Sequence, residues 1–419
     1  MIKKYFFFFL IIISCSKEDQ LKVDINAFLK EGDRIFFNKL PKSIDLPVHK
    51  IDKLKVEKYF NYSNWMQKNY NASNIILPSA INIDRVNKSL SGKFQQILIN
   101  NKKIFTIDSK SKLQVYDLNF KKLYSKKIYN RKVYNNYDLN FEMLINNNSI
   151  FISDNLGNIQ SYNVNSLKKN WLITLGVPFR SNLKIYKGNI FLINSNSKIF
   201  AIDSDKGLIN WSFETSSQYL KNNNSYKLAI HNDNLYFTND SAELICLNLS
   251  NKTIQWSLNI EPFNYQTKPM IFETGYLSID DKNNLFFSSN YGFIYSMNAN
   301  SGQINWAKPI NTKNKLIFAN KYMVSISKKK LIILDKANGS ILFNQDVTKS
   351  FKNSKELNLE DVFIGRNEIF IFLNNGELIT LNLSNLKIIK KRKISNSFKE
   401  YIVYMKNIYI LTNKNILKY

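Results

Sequence analysis

A 22-residue unit that ends in tryptophan occurs four times in this chain, and it constrains the fold more than any other feature. The copies are "IFISDNLGNIQSYNVNSLKKNW" at 150–171, "IFLINSNSKIFAIDSDKGLINW" at 190–211, "LYFTNDSAELICLNLSNKTIQW" at 235–256 and "LFFSSNYGFIYSMNANSGQINW" at 285–306. Apolar stretches in each copy are separated by Asn, Asp, Gly and Ser, which favour turns. Because no helical period runs through them, each unit predicts three short β-strands.

One further apolar stretch precedes each unit, and weaker copies flank the clear ones at 104–124, 323–343 and 369–390. Four strands per repeat at a spacing of about 37–50 residues are typical of a β-propeller. Seven complete blades are predicted from Phe94 to Lys391, and the C-terminus starts an eighth that lacks its outer strand. The sequence therefore predicts an all-β, eight-bladed propeller whose last blade is closed by an N-terminal strand.

The stretch "VEKYFNYSNW" at 56–65 is the predicted closing strand, because its tryptophan then occupies the same repeat position as the others. A ring at that position can cover the gap to the next blade and bury roughly 150–250 Å². We expect a structural, blade-docking role for all five tryptophans: Trp65, Trp171, Trp211, Trp256 and Trp306.

The N-terminus, "MIKKYFFFFLIIISCSKED", has two lysines followed by an apolar run, which indicates a secretory signal over residues 1–14. The run is shorter than the roughly 20 residues that span a bilayer. Its end, "IISC", resembles the lipobox of bacterial lipoproteins, which implies cleavage before Cys15 and lipidation of that residue. Residues 15–50 are then a lipidated tether, and 51–419 the propeller. Ser16 in place of Asp favours the outer membrane, by analogy with enterobacterial sorting.

The formal charge of +27 permits attraction to anionic lipid or nucleic acid, or it reflects a lysine-rich, soluble surface. Spread-out lysines and predicted export disfavour nucleic acid. With two cysteines and two histidines, no metal-ligand cluster is expected. Cys246 has no partner for a disulfide once Cys15 is lipidated, so it is predicted to be a buried thiol.

The segment "AIDSDKGLINW" resembles the tryptophan-docking motif of pyrroloquinoline quinone (PQQ) repeat propellers, through Ala201, Asp203, Gly207 and Trp211. Two classes of protein share that fold. Quinoprotein dehydrogenases are enzymes that hold PQQ and usually Ca²⁺. The BamB family comprises lipoproteins without a cofactor, which bind the barrel-forming subunit of the β-barrel assembly machinery in Gram-negative bacteria.

The lipobox, the chain length and the closing strand resemble the BamB family, whereas the paired cysteines of many PQQ alcohol dehydrogenases are missing. The resemblance therefore implies a non-catalytic scaffold without cofactor or metal, anchored at the periplasmic face of the outer membrane. Its partners would be the barrel-forming subunit and unfolded outer-membrane proteins. A PQQ-dependent dehydrogenase and a propeller for another envelope partner remain alternatives.

Rim loops are expected to carry partner binding. The stretch "GVPFR" at 176–180 is one candidate contact loop, through Pro178, Phe179 and Arg180, because aromatic and arginine side chains are favoured at interfaces. An ordinary connection between blades is the alternative for the same loop.

Overall fold

The computed structural model describes residues 51–419, apart from 52, 131–136, 217–225, 261–271, 350 and 352–353. Within that part of the chain, 32 strands form eight four-stranded sheets. Seven sheets use consecutive strands, and the eighth joins the last three strands of the chain to the first. The predicted eight-bladed propeller is confirmed. Among the described residues, no helix has the length and apolar character needed to span a bilayer.

Strand β1 is Lys88–Ser91, and the seven consecutive blades follow it. Blade one contains β2 Phe94–Asn100, β3 Lys103–Asp108, β4 Lys112–Asp117 and β5 Lys122–Lys127. Blade two contains β6 Phe141–Asn146, β7 Ser149–Asp154, β8 Asn158–Asn163 and β9 Lys169–Thr174. Blade three contains β10 Lys184–Tyr186, β11 Asn189–Ile193, β12 Lys198–Asp203 and β13 Ile209–Glu214. Blade four contains β14 Leu228–His231, β15 Asn234–Thr238, β16 Glu243–Asn248 and β17 Ile254–Asn259.

The remaining blades keep the same order of strands. Blade five contains β18 Thr274–Ile279, β19 Asn284–Ser289, β20 Ile294–Asn298 and β21 Ile304–Lys308. Blade six contains β22 Ile317–Ala319, β23 Tyr322–Ser327, β24 Lys330–Asp335 and β25 Ile341–Asp346. Blade seven contains β26 Leu359–Ile364, β27 Glu368–Leu373, β28 Glu377–Asn382 and β29 Ile388–Lys393. Blade eight contains β30 Glu400–Tyr404, β31 Asn407–Leu411, β32 Asn415–Lys418 and, as its outer strand, β1.

The first strand of each blade is the inner one, and first strands of neighbouring blades contact each other, as β2 does β6 and β14 does β18. Second and third strands are largely buried, because apolar side chains on both of their faces pack against adjacent blades. Fourth strands are the most exposed, and every residue of β5 is exposed. The core therefore lies between the blades.

The closing strand of blade eight is β1 and not the predicted stretch 56–65. Strand β1 pairs antiparallel with β32, with Lys88 opposite Lys418 and Ser91 opposite Asn415. Ring closure by an N-terminal strand is thus correct, but the residues assigned to it were wrong. The stretch "KSLS" was overlooked because it has a single apolar residue, as suits an exposed outer strand.

Trp65 lies at the end of blade one's inner strand instead of on an outer strand. Its amide donates to Ile99 O at 2.7 Å, and the Ile99 amide donates back at 3.0 Å. Its ring is 2% exposed and packs beside Tyr62 and Tyr70. The assumption that all five tryptophans share one repeat position is therefore wrong for Trp65.

Residues 62–81, called the axial segment here, run past the ends of the inner strands of all eight blades. Seven of the eight blades make backbone hydrogen bonds with it, at Ile99, Ile145, Ile230, Ile279, Phe318, Ile364 and Met405. The Lys184 side chain supplies the contact from blade three. The axial segment therefore crosses the propeller axis and ties the eight blades together at one face.

Candidate functional site

The candidate site contains a polar chamber on the propeller axis, beside the axial segment. It consists of two cavities, of about 800 Å³ and about 340 Å³, and Lys399 lines both. Most of their lining residues lie at the beginnings of the inner strands, whereas the axial segment binds the ends of those strands. The chamber is therefore bounded by the axial segment on one side.

Ion pairs neutralise carboxylates of this chamber. Lys68 Nζ of the axial segment lies 3.0 Å from Glu142 Oε1, and Lys315 Nζ lies 2.6 Å from Asp361 Oδ2. Lys313 is paired with Glu273. The Glu142 carboxylate raises the pKa of Lys68, whereas burial lowers it to a lesser extent. These pairs bind inner strands to the segment or to one another.

Two further lysines near the axis, of which Lys227 lines the chamber, pair differently. The Lys184 ammonium is fully buried and donates to Asn74 Oδ1 at 2.6 Å, to Asn71 O at 2.7 Å and to Lys68 O at 3.2 Å. Burial lowers the pKa of Lys184 to about 7. Lys227 lies over the Tyr276 ring at 5.4 Å, and burial lowers its pKa to about 8. The lowered pKa values of Lys184 and Lys227 are those expected of ammonium groups in a low-dielectric environment.

These residues do not fit a calcium-dependent quinone site. Calcium prefers six to eight oxygen ligands, often carboxylates, and three of the seven chamber carboxylates, those of Glu142, Glu273 and Asp361, are each held by a lysine. Among the described residues, no group of three His, Cys, Asp or Glu side chains is arranged to hold a metal ion. The ion pairs stabilise the axis.

The predicted contact loop lies at the opening of the larger chamber cavity, which Phe179 and Arg180 line. Phe179 is 6% exposed, packs edge-on against Phe200 and bridges to Asn194. Its ring therefore belongs to the core between blades two and three, which corrects the expectation that it faces a partner. Pro178 and Arg180 are partly exposed, and the Pro178 carbonyl accepts from Ser195 N at 2.8 Å.

The other four predicted tryptophans lie at one repeat position on outer strands. Their register partners on the third strand are small residues, with a shift in pairing immediately after each: Ser161 for Trp171, Ala201 for Trp211, Cys246 for Trp256 and Ser296 for Trp306. Each indole also packs against an aromatic ring twenty residues earlier: Phe151, Phe191, Tyr236 and Phe286.

Three of these indoles contact a glycine of the following blade and donate to a carbonyl there. Trp256 Nε1 donates to Ala299 O at 2.9 Å, and its ring lies against Gly302. Trp171 pairs in the same way with Ser204 and Gly207, and Trp306 with Lys336 and Gly339. The glycine at this position has a positive φ, +72° at Gly302, and a side chain there would meet the indole.

Cys246 is a buried free thiol, as predicted, and burial raises its pKa to about 12. Turn aspartates hydrogen-bond their own backbone. Asp203 Oδ1 accepts from the amides of Asp205 and Lys206, and Asp154 Oδ1 accepts from Leu156 and Asn158. These bonds stabilise the turns of the repeat.

The chamber residues were missed in the sequence, although a signal for them exists. A charged residue stands near the start of several inner strands, as in "FEMLIN" and "LEDVFI". Since inner strands meet on the axis, such residues converge there. No comparable pattern in the sequence predicts that the axial segment borders the chamber. Cys15, the signal and the tether lie outside the described residues.

Comparison with known proteins supports the fold and the family. The family model for "Outer membrane protein assembly factor BamB" matches residues 140–345, which span blades two to six. An uncharacterized protein of Rickettsia prowazekii (strain Madrid E) is 20% identical over 164 residues, which are 38% of this chain and 39% of that relative. The match thus spans well under half of the relative's length.

Solved structures share the architecture at low sequence identity. BamB from Moraxella catarrhalis superposes with a TM-score of 0.66 at 12% identity, covering 80% of this chain and 99% of that chain. A europium-containing methanol dehydrogenase superposes with a TM-score of 0.62 at 10% identity, covering 83% and 89%. A computationally designed protein gives 0.59 at 9% identity, covering 80% and 98%. These likenesses show a propeller fold that can serve enzymes and non-enzymes.

Proposed function

We propose that this chain, which belongs to the BamB family of PQQ-like repeat propellers, is a non-catalytic scaffold of the β-barrel assembly machinery. The observation that carries the proposal is the BamB family match over residues 140–345, supported by the likeness to nearly the whole of a BamB structure. In this role the ring binds the barrel-forming subunit and assists the insertion of outer-membrane proteins.

Anchoring by lipid at Cys15 is part of the same proposal. The signal-like N-terminus and the "IISC" sequence support cleavage before Cys15 and attachment of acyl chains. Two or more acyl chains hold a protein firmly on a membrane, whereas one anchors only marginally. The propeller would then face the periplasm from the outer membrane.

The axial geometry supports a scaffold, because it favours a rigid ring with fixed rim loops. The axial segment is hydrogen-bonded to all eight blades, and the partly exposed Lys68 and the buried Lys184 join it to blades two and three. A scaffold gains affinity when its binding loops are held in place before the partner arrives. Loops at the open end of the chamber, including Pro178 and Arg180, are the surface we assign to the partner.

A quinoprotein dehydrogenase is the enzymatic alternative, and the methanol dehydrogenase likeness shows only that the fold is compatible with it. The lysine-paired carboxylates of the chamber argue against it. A propeller for a different envelope partner is the remaining alternative.

The decisive experiment is affinity purification of the full chain from its native membrane in mild detergent, with quantitative mass spectrometry of copurifying proteins. We expect the barrel-forming subunit to be enriched, and to be lost from an Arg180→Glu variant. Lys206→Glu is the matched control, because Lys206 is exposed in a turn between the third and fourth strands.

Absence of every assembly subunit, while the rest of that complex stays intact, would refute the scaffold proposal. Recovery of another envelope complex would favour the third alternative. Quinone absorbance retained after incubation with PQQ and Ca²⁺ would favour the enzyme. A Cys15→Ala variant that still incorporates labelled palmitate would refute lipidation at that residue.

A further inference from the structure

The outer strands of the propeller differ sharply in charge around the ring. Strands β29, β1 and β5, on the consecutive blades seven, eight and one, carry eight basic residues and no acidic residue. The outer strands of blades three to six, β13, β17, β21 and β25, carry two acidic residues and one basic residue. The positive charge of the outer strands is therefore concentrated on one side of the ring. Strands β29, β1 and β5 together are called the basic wall here.

The basic wall is continuous across its three blades. Lys88 Nζ of β1 donates to Asn119 Oδ1, in the turn before β5, at 2.9 Å, and Lys418 Nζ of β32 donates to Leu118 O at 3.1 Å. On the other side, the Arg392 guanidinium of β29 lies over the Tyr419 ring at 5.6 Å and donates to Ile83 O. Side chains thus link blade seven to blade eight and blade eight to blade one.

The basic wall lacks the docking tryptophan that other blades have. Tyr124 pairs in register with Val115, and Lys390 with Thr380, each immediately before the same shift in pairing that follows the tryptophans. At that position Tyr124 is 41% exposed. In blades one and seven, the side chain at this repeat position therefore lies at the surface. In blades two to five, the tryptophan at the same position packs against a neighbouring blade.

Exposed apolar side chains lie among the cations of the basic wall. Leu123 and Tyr124 on β5, and Ile388 and Ile389 on β29, are exposed, Ile389 by 52%. Among the outer strands of blades two to six, Leu172 is the one large apolar side chain of the described residues with comparable exposure. Cations interleaved with aliphatic and aromatic groups suit the interface of an anionic bilayer, where charges meet head groups and apolar groups enter the acyl boundary.

The point where the described chain begins also lies near this wall. The amide of Ile51 donates to Leu342 O of blade six, and that of Leu54 donates to Leu383 O in the turn before β29. The described part of the chain therefore begins beside blades six and seven.

We propose that the basic wall is a docking surface for an anionic phospholipid bilayer, so that the propeller lies with blades seven, eight and one against the membrane. This orientation leaves both rims, including the chamber opening, accessible to protein partners. The inference concerns a surface separate from the proposed partner loops and does not depend on them.

Vesicle binding tests the proposal. The full chain is mixed with vesicles of phosphatidylcholine alone or of phosphatidylcholine with phosphatidylglycerol, and the measured quantity is the ratio of its partition coefficients. Binding through an acyl chain cancels in this ratio. We expect strong preference for the anionic vesicles, falling by about tenfold or more in a variant with Lys122, Lys127, Lys390 and Lys393 replaced by Glu.

The matched control reverses the same number of charges elsewhere, at the exposed residues Lys168, Lys206, Lys282 and Lys330. It should keep most of the preference for anionic vesicles, because its four substitutions lie outside the basic wall. The two variants have the same net charge, so a difference between them depends on where the charges lie. Equal losses in the two variants would overturn the proposal. Thermal unfolding of each variant checks that the ring remains folded.

A second variant distinguishes binding to a bilayer from binding to a soluble polyanion. Ile388→Ser with Ile389→Ser leaves the charge unchanged, and should weaken binding to anionic vesicles several-fold while leaving heparin binding unaltered. If vesicle binding is unaffected by the serines, and heparin binding depends on the same lysines, the wall serves a polyanion and the membrane proposal fails.

Discussion

Lys184 on the inner strand of blade three donates to Asn74 Oδ1 of the axial segment at 2.6 Å, although 110 residues separate them. The same ammonium also bonds to two carbonyls of that segment. A single buried cation thus donates to three acceptors of one segment, two of which also accept from Asn74 N and Asn69 Nδ2. These bonds offset part of the cost of burying the charge.

Replacing Lys184 with Met should change how stability depends on pH. The folded pKa of Lys184 is about 7, against an ordinary value of 10.5. Between these values the unfolded chain holds a proton that the folded chain lacks, so this residue makes the free energy of unfolding rise with pH. The full penalty of burying the charge applies below pH 7.

Urea unfolding at several pH values within that window measures the effect. The wild-type free energy of unfolding should rise relative to the Lys184→Met variant by up to about 1.4 kcal/mol per pH unit. Lys206→Met, at an exposed position, is the control and should run parallel to the wild type. Parallel curves for Lys184→Met would contradict the lowered pKa.

The Lys315–Asp361 pair should behave as a buried ion pair. Both residues are less than a tenth exposed, and Lys315 also lies over the Tyr401 ring at 4.6 Å. Lys315→Met leaves a buried carboxylate without its partner and should destabilise the ring by about 3–5 kcal/mol. Adding Asp361→Leu should recover most of that loss, as measured by chemical unfolding. A double variant no more stable than the single one would contradict this account.

Gly302→Ala should disrupt the docking of Trp256 between blades four and five. The residue has a φ of +72°, and an added Cβ would lie 2.7 Å from the indole. We expect a loss of about 2 kcal/mol or more in the free energy of unfolding. Gly188→Ala is the matched control, since its φ is +74° but nothing lies within 4 Å of the added atom. It should cost about 1 kcal/mol, and equal losses at both sites would show that the indole contact is unimportant.

Ring closure by β1 can be tested by cross-linking. Ser89 lies directly opposite Leu417 in the pairing of β1 with β32. Ser89→Cys with Leu417→Cys should form a disulfide under mild oxidation and stabilise the fold by about 2–4 kcal/mol. Mass spectrometry of the non-reduced protein detects the bond. Ser63→Cys with Leu417→Cys, which places one thiol in the stretch 56–65 expected from the sequence to close the ring, should not cross-link, and the reverse result would favour that stretch as the closing strand.

The repeat made most of the fold predictable. Each copy carries its own strand alternation and turn residues, and the tryptophan recurs at one register position opposite a small residue, such as Cys246 for Trp256. Because these signals are local and repeated, errors at one copy are corrected by the others. Phe179 shows the limit, since nothing local distinguishes a loop ring that packs inward on Phe200 from one that faces a partner.

By itself, the sequence determined the blade: four strands, their turns, the docking tryptophans and the number of repeats, all set by alternation and turn chemistry within about 50 residues. The tertiary structure decided which N-terminal residues close the ring and where the others go. Strand β1 pairs with β32 some 330 residues away, and the axial segment gains its hydrogen bonds from eight different blades. Those partners exist only once the ring has assembled, so no local pattern in residues 51–91 encodes them.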